Sequence, residues 1–335
     1  MVKRHKVYTY IKRRGAHIAF LQETHLDTVE GKALQKRWRG QVYYTTFSAF
    51  ARGVLIWVRP GVPFQCIKTV IDPNGRYVIV TGRLGGRDLT LVSVYAPNVE
   101  QGNFLMELSS RMASYLMGHI IIGGDFNCVA DVGLDRSHPP LRDSPIRRLA
   151  GQFTTWKERW GLVDSWRQQN RESRDYSFFS SIHELHVRLD TFLCSAMVHE
   201  SVQGVEYLAR TISDHNPVLL GLKWDKTRPN IPTWRLKPEA LEDLAFREDI
   251  GGQIQQYFET NTNTASSPLV EWDAFKAVIR GRCIAGMMGV RNTLTKEILD
   301  LELKLREVEK RRVGNPEIHQ ELLDMKELVA QGTER

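Results

Sequence analysis

Two polar clusters sit against short apolar runs far apart in the chain. Gly123-Gly124-Asp125-Phe126-Asn127 comes directly after Ile120-Ile121-Ile122, and Ser213-Asp214-His215-Asn216-Pro217 comes directly before Val218-Leu219-Leu220. A short aliphatic run bounded by Gly or Pro reads as a buried strand. Each cluster therefore sets carboxylate, amide or imidazole groups at a strand end. Burying unpaired charge is costly, so these side chains cannot serve as core filler. They must pair, line a cleft or hold a divalent cation, and the fold has to bring distant strand ends together.

The rest of the pattern supplies those strands. Val7, Tyr10 and Ile11 share a helical face, with Gly15 placed to end the helix. Residues 16–21 form a short strand that ends at Gln22-Glu23-Thr24-His25, and residues 53–58 form another, stopped by Pro60. Residues 76–83 and 88–95 flank Gly85-Gly86, a hairpin signal. A helix is expected over 103–117 and a central buried strand over 119–122. Ser144-Pro145 opens a helix that runs to about Trp160, with Pro at its first position. Strand-like runs follow at 176–179, 188–193 and 218–224. Many strands with few helices between them predict an α+β fold, a two-sheet sandwich with flanking helices, over a doubly wound parallel sheet.

The composition shifts after Trp224. Residues 1–224 read as one domain, 225–238 as a linker rich in Pro and charge, and 239–335 as a helical connector. Leu294, Ile298, Leu301, Leu305 and Val308 follow a heptad spacing. Gly314-Asn315-Pro316 breaks it, and Ile318, Leu322, Met325 and Val329 resume an apolar stripe. The pattern fits a coiled-coil-like hairpin from about residue 292, and equally an amphipathic helix docked on a neighbour.

The net charge of +7 over 335 residues suits a polyanionic partner such as nucleic acid. Cys66, Cys128, Cys194 and Cys283 are scattered without a CxxC pair, which argues against a zinc ribbon or a disulfide framework. A reducing, intracellular compartment, nuclear or cytoplasmic, is the expectation. No run reaches the roughly 18–20 apolar residues of a membrane helix, so no membrane partner is expected. The basic start, Met1 to Lys6, lacks the apolar core of a signal peptide.

Taken one at a time, the candidate residues keep two readings. Glu23 closes its strand, and a lone Glu there is also a solvated acid. Gly123 and Gly124 allow a tight backbone from which Asp125 and Asn127 project together, or an Asx turn. Tyr95-Ala96-Pro97-Asn98 ends a strand with a phenol and an amide suited to phosphate oxygens, or makes a plain turn. Asp190, inside an apolar run, needs a partner, and His215 is a good one. Arg136, Arg142, Arg147 and Arg148 suit a DNA backbone or a solvated face.

The order of these pieces carries more than any one of them. Leu21-Gln22-Glu23-Thr24-His25, Val94-Tyr95-Ala96-Pro97-Asn98, Gly124-Asp125-Phe126-Asn127, Arg188-Leu189-Asp190 and Ser213-Asp214-His215 follow one another over residues 5–223. In that order the chain resembles the endonuclease/exonuclease/phosphatase superfamily, which includes exonuclease III and the apurinic/apyrimidinic endonucleases. Phe20 to Leu26 and Asp175-Tyr176-Ser177-Phe178-Phe179-Ser180 look most like the nuclease of a LINE-type retrotransposon polyprotein.

The resemblance implies a DNase I-like sandwich and an Mg²⁺-dependent endonuclease, with Mn²⁺ as a possible substitute, acting on DNA to leave 3′-hydroxyl and 5′-phosphate ends. It implies that Glu23 and Asp214 hold the metal, that Asp125 handles the attacking water, and that Asn127, Tyr95 and Asn98 hold phosphate oxygens. His215, steadied by Asp190, would stabilise the phosphorane, and Ser177 and Ser213 would contact substrate. It further implies a downstream reverse-transcriptase region in the parent polyprotein. Relatives begin with a strand before the first helix, and here that N-terminal strand is apparently missing. A small-molecule phosphatase of the same fold and a catalytically impaired remnant are the competing readings.

Overall fold

The computed structural model describes residues 2–224, 236, 238–261, 271–272, 274–283, 301, 304–305, 307–308, 321 and 323–328. The elements run α1 (Val2–Arg13), β1 (Ile18–Leu21), α2 (Thr28–Arg37), β2 (Gln41–Tyr44), β3 (Leu55–Val58), β4 (Phe64–Ile71), β5 (Tyr77–Leu84), β6 (Arg87–Tyr95), α3 (Gln101–Tyr115) and β7 (His119–Asp125). They continue with α4 (Pro145–Arg159), β8 (Leu162–Asp164), α5 (Ser165–Gln169), β9 (Phe178–Ser180), β10 (Leu185–Val187), β11 (Asp190–Ser195), α6 (Ala196–His199), β12 (Val202–Tyr207) and β13 (Val218–Leu222). A short 3-10 helix (Pro238–Glu242) and α7 (Leu244–Asn261) follow.

A six-stranded sheet in the order β4-β5-β6-β7-β11-β8 organises the molecule. β5 and β6 form the hairpin that Gly85-Gly86 predicts, with both glycines at positive φ, 60° and 81°. β6 and β7 are parallel, which requires a crossover, and α3 supplies it. On one face, Ile79, Val92, Val94, Ile122 and Leu193 pack under Leu105, Leu108 and Met112 of α3 and Phe153 and Trp156 of α4. On the other face, Val78, Val80, Leu89, Leu91 and Ile121 meet Ile56 and Val58 of β3. β3 is the centre of a three-stranded sheet in the order β1-β3-β2. Its outer face is covered by Ile11 of α1, Leu34 of α2 and Trp38. The order of layers is helix, sheet, sheet, helix, the sandwich expected from the sequence. Each fully buried aliphatic or aromatic side chain contributes about 1.5–3 kcal/mol, so this double-faced burial is the main source of stability.

Local chemistry sets the ends of several elements. Ser144 caps α4 by accepting from the Ile146 N–H, with Pro145 in the first turn, as its sequence predicts. α2 begins with a capping box, in which Asp27 accepts from the Glu30 N–H and the Glu30 side chain accepts from the Asp27 N–H. At Gly124, φ is +151°, and an added Cβ would lie 2.0 Å from the Val94 carbonyl oxygen on β6. Gly124→Ala is therefore expected to cost on the order of 1–3 kcal/mol. A chemical melt in which Gly124→Ala is as stable as the parent would show that this close approach is not needed.

The chain divides into two compact units, Met1–Ile231 with Leu303–Lys326, and Pro232–Glu302 with Glu327–Arg335. The sandwich lies in the first. In the second, Phe246 and Ile250 of α7 are buried with Cys283, and Leu236, Ala240 and Ile279 pack around them. The C-terminal region is helical in its described residues. Leu305 and Val308 of the heptad pattern are helical and buried. Leu294, Ile298, the Gly314-Asn315-Pro316 break, Ile318, Leu322 and Val329 lie outside the described residues, as does most of 225–238. No helix among the described residues is long and apolar enough to cross a membrane.

Candidate active site

Three neighbouring strands end at one level. Tyr95 is the register partner of Asp125 across the parallel β6–β7 pair, and Asp190 is its partner across the antiparallel β7–β11 pair. Register partners point to the same face of a sheet. The sheet thus delivers a phenol and two carboxylates side by side. A bridge between Phe178 and His215 brings in the second polar cluster. His215 Nδ1 lies 2.7 Å from Asp190 Oδ2, and the Phe178 ring leans on the imidazole with centroids 4.7 Å apart. Glu23 enters from the end of β1, where its carboxylate accepts the Tyr95 hydroxyl. Glu23 and His25 both have positive φ, 51° and 48°, so the chain turns sharply here.

Asp125, Asp190 and His215 each bring one donor atom within 4.8 Å of the others. Burial pushes the Asp125 carboxyl up to about 7, and the Asp190 carboxylate adds to the rise. The Asn127 N–H, 2.8 Å from Asp125 Oδ1, works the other way. Burial opposes charge on His215, but the carboxylates of Asp190, Asp125 and Asp214 outweigh it and lift the imidazole to about 9. Burial, then the neighbouring Glu23, raises the Tyr95 phenol. At neutral pH the site therefore holds an imidazolium–carboxylate pair beside a carboxyl that titrates near neutrality. A base poised near the working pH is well matched to proton transfer.

The other candidates sit as follows. Asn127 is half-buried with φ 48°, and its amide nitrogen donates to the Ala96 carbonyl at 2.7 Å. Asn98 is exposed on the loop after β6. Asp214 is exposed, its carboxylate accepts Ser213 Oγ at 3.1 Å, and it is not in the clustered donor set. Ser213 Oγ also accepts the His215 N–H at 3.2 Å, which shapes the loop that presents the imidazole.

Ser177, expected to contact substrate, lies under the site. It is fully buried, and its Oγ accepts the N–H groups of Leu189 and Asp190 at 2.9 and 3.0 Å. It braces the start of β11 rather than facing a cleft. Arg147 bonds the Pro140 and Leu141 carbonyls, so its guanidinium holds a loop.

Sequence reasoning missed the buried support under the site. Arg188 reaches Asp135 through Nε and Nη2 at 2.7 and 2.9 Å, and Asp164 through Nη2 at 2.7 Å. The Tyr207 hydroxyl donates to the Asp190 carbonyl at 2.7 Å. The available signal was the arginine itself, two residues before Asp190 at the edge of an apolar run. Its partners lie 53 and 24 residues away.

Comparison with known proteins places this geometry. Residues 2–215 match the Endonuclease/Exonuclease/phosphatase family. The transposon TX1 uncharacterized 149 kDa protein of Xenopus laevis is 27% identical over 318 residues, 90% of this chain and 23% of that protein. The chain thus spans about a quarter of that relative's length. Among solved structures, the AP endonuclease LMAP from Leishmania major superposes with a TM-score of 0.52 at 18% identity, covering 66% of this chain and 83% of that one. The 3′ phosphatase NExo from Neisseria, bound to product DNA hairpin, superposes with a TM-score of 0.51 at 22% identity, covering 67% and 95%. Both share the fold of the sandwich.

Proposed function

This chain belongs to the Endonuclease/Exonuclease/phosphatase family, and we propose that it is an Mg²⁺-dependent DNA endonuclease that leaves 3′-hydroxyl and 5′-phosphate ends. The observation that carries the reading is the convergence of Tyr95, Asp125 and Asp190 at one level of three strands, with His215 bonded to Asp190. Asp125, with its carboxyl near neutrality, takes the proton of the attacking water. The new P–O bond forms as the bond to the 3′ oxygen breaks. That oxygen leaves as an alkoxide that takes a proton from solvent to become the 3′-hydroxyl, while Asp125 later returns the water's proton to solvent. His215, held protonated by Asp190, faces the negative charge that builds on the phosphorane. Asn127, Asn98 and Tyr95 orient phosphate oxygens.

The donor chemistry fits a hard cation. Magnesium takes oxygen ligands and keeps several waters, so one or two carboxylates suffice. His215 Nδ1 is taken up by Asp190 at 2.7 Å, and we assign the imidazole the role of a cation toward the phosphate rather than of a ligand. Glu23, with Asp214, would hold Mg²⁺ or Mn²⁺, which supplies neutralising charge to the phosphate. The 27% identity to a transposon protein supports a transposon setting, and we propose that the nuclease there works beside a reverse transcriptase, where the new 3′-hydroxyl would prime synthesis.

The full chain with Mg²⁺ is expected to convert supercoiled plasmid to the nicked circle. EDTA should stop the reaction, and a DNA polymerase should extend the nicks. Release of phosphate from inositol phosphates with the plasmid left intact would replace the nuclease reading with the phosphatase one.

A further inference from the structure

We propose that the loop between β2 and β3 is a stacking subsite, which holds an unpaired base of the DNA strand next to the scissile phosphate; this rests on the nuclease reading. Two aromatic rings on this loop face solvent, Phe47 at 48% and Phe50 at 91% exposure. A single exposed apolar residue needs no explanation. Here the rings belong to a built structure. Ser48 and Ala51 bridge across the turn, and the Phe50 N–H donates to Ser48 Oγ at 3.3 Å. The Arg52 guanidinium lies 4.2 Å from the Phe47 ring centroid and donates to the Asn74 carbonyl at 3.2 Å.

The loop is tied to the catalytic turn. The Thr24 N–H donates to the Gly53 carbonyl at 3.1 Å, and the His25 N–H to the Arg52 carbonyl at 3.0 Å. Gly53 has φ +91°, and a Cβ there would lie 2.5 Å from Thr24 Oγ1, so the contact admits only glycine. The Gly53 N–H in turn donates to the Gly75 carbonyl at 3.1 Å. The next residue, Arg76, stands 5.1 Å over the Tyr95 ring. Two pairs of guanidinium and ring therefore run outward from the Tyr95–Glu23 contact: Tyr95 with Arg76, then Phe47 with Arg52. The nearby acid, Asp72, is buried and accepts the Asn74 and Arg76 N–H groups at 3.1 and 2.8 Å. It is committed to the turn. Glu23, exposed at the inner end, accepts the Tyr95 hydroxyl, and outward from it the charged side chains of the track are the half-buried Arg76 and Arg52.

Alternating cations and flat apolar rings match one ligand chemistry, a nucleic-acid strand with phosphates on the guanidiniums and a base on a ring. A base in a duplex has both faces stacked, so the exposed Phe50 ring needs an unpaired one. The track is continuous with the catalytic cluster, which places that base beside the phosphate to be cut.

The test is binding, measured with EDTA present so that no strand is cut. A labelled duplex with a short unpaired segment is titrated with the full chain by fluorescence anisotropy. Phe50→Ala is expected to weaken binding by roughly 5- to 100-fold. Arg52→Ala should lower the slope of log affinity against log salt by about 1, and Arg52→Lys should restore it. A 2-aminopurine in the unpaired segment should be quenched by the parent protein and not by Phe50→Ala. If Phe50→Ala binds and quenches like the parent, the subsite is refuted. A parent dimer that Phe50→Ala dissociates, with DNA affinity intact, would also overturn it and mark the loop as a self-association surface. A parent that binds as expected but never nicks would sink the nuclease reading and leave the binding result standing.

Discussion

His215→Ala should lower the single-turnover nicking rate by roughly 10²–10⁴-fold while DNA binding survives. The imidazole bonds Asp190 at 2.7 Å and leans on Phe178, and it is partly exposed, so truncation should leave the fold intact. What is lost is the cation proposed to face the reacting phosphate. Asp125→Ala should cost a similar factor, because it removes the group proposed to take the water's proton. Asp190→Asn should also slow nicking, since an amide cannot hold the imidazolium as a carboxylate does. In the Asp190→Asn/His215→Ala double variant the losses should be far from multiplicative, because residues that act as a unit are lost once. Near-normal nicking by His215→Ala would remove the imidazole from the mechanism. Fully multiplicative losses would mean that Asp190 does something other than hold His215.

Local patterns foretold the strands that matter most. Ile120-Ile121-Ile122 could only be a buried strand, and the Gly-Gly step after it let Asp125 turn inward. The Ser144-Pro145 start of α4 and the Gly85-Gly86 hairpin are equally local signals, and both stand in the structure. β4 carried no such signal, because it is an edge strand whose side chains mostly face solvent. β8, β10 and β12 were also unforeseen. They are short or lack a clean alternation, and their neighbours in the sheets define them. The pairing of Asp190 with His215 could be argued from chemistry, since a carboxylate in an apolar run needs a partner. The role of Ser177 could not, because a buried serine and a substrate-binding one read alike until the N–H groups it accepts are seen. β11 begins at Asp190, so Arg188 lies before the strand that its apolar run suggested, where it can turn toward Asp135 and Asp164.

Arg188→Met should cost about 3–5 kcal/mol of stability, a large share of the roughly 5–15 kcal/mol that a folded domain commands. Arg188 is 3% exposed, and both of its main partners are as deeply buried. Burial alone would raise the Asp135 carboxyl, but the Arg188 and Arg167 guanidiniums outweigh it and hold that group below the usual carboxylate range. With Arg188 gone, Asp164 loses that partner, and Asp135 keeps the Arg167 guanidinium and the Asp131 N–H at 3.1 Å. The destabilisation should ease as pH falls, because protonation then relieves the stranded carboxylates. Lysine should not rescue the site, since one ammonium cannot fork to two carboxylates as a guanidinium does. Adding Asp135→Asn and Asp164→Asn to Arg188→Met should recover much of the loss, because removing a whole buried charge set is far less costly than breaking it. The consequence reaches catalysis through the backbone. The Arg188 N–H donates to the Asp135 carbonyl at 2.9 Å, and Thr191, which pairs with Gly124, also bonds Asp164. This network fixes the first residues of β11, and with them Asp190 at the level of Asp125. The triple variant should therefore fold yet nick more slowly than the parent. If Arg188→Met melts with the parent, or the triple variant nicks at full rate, the buried arginine neither holds the sheet nor sets the position of Asp190.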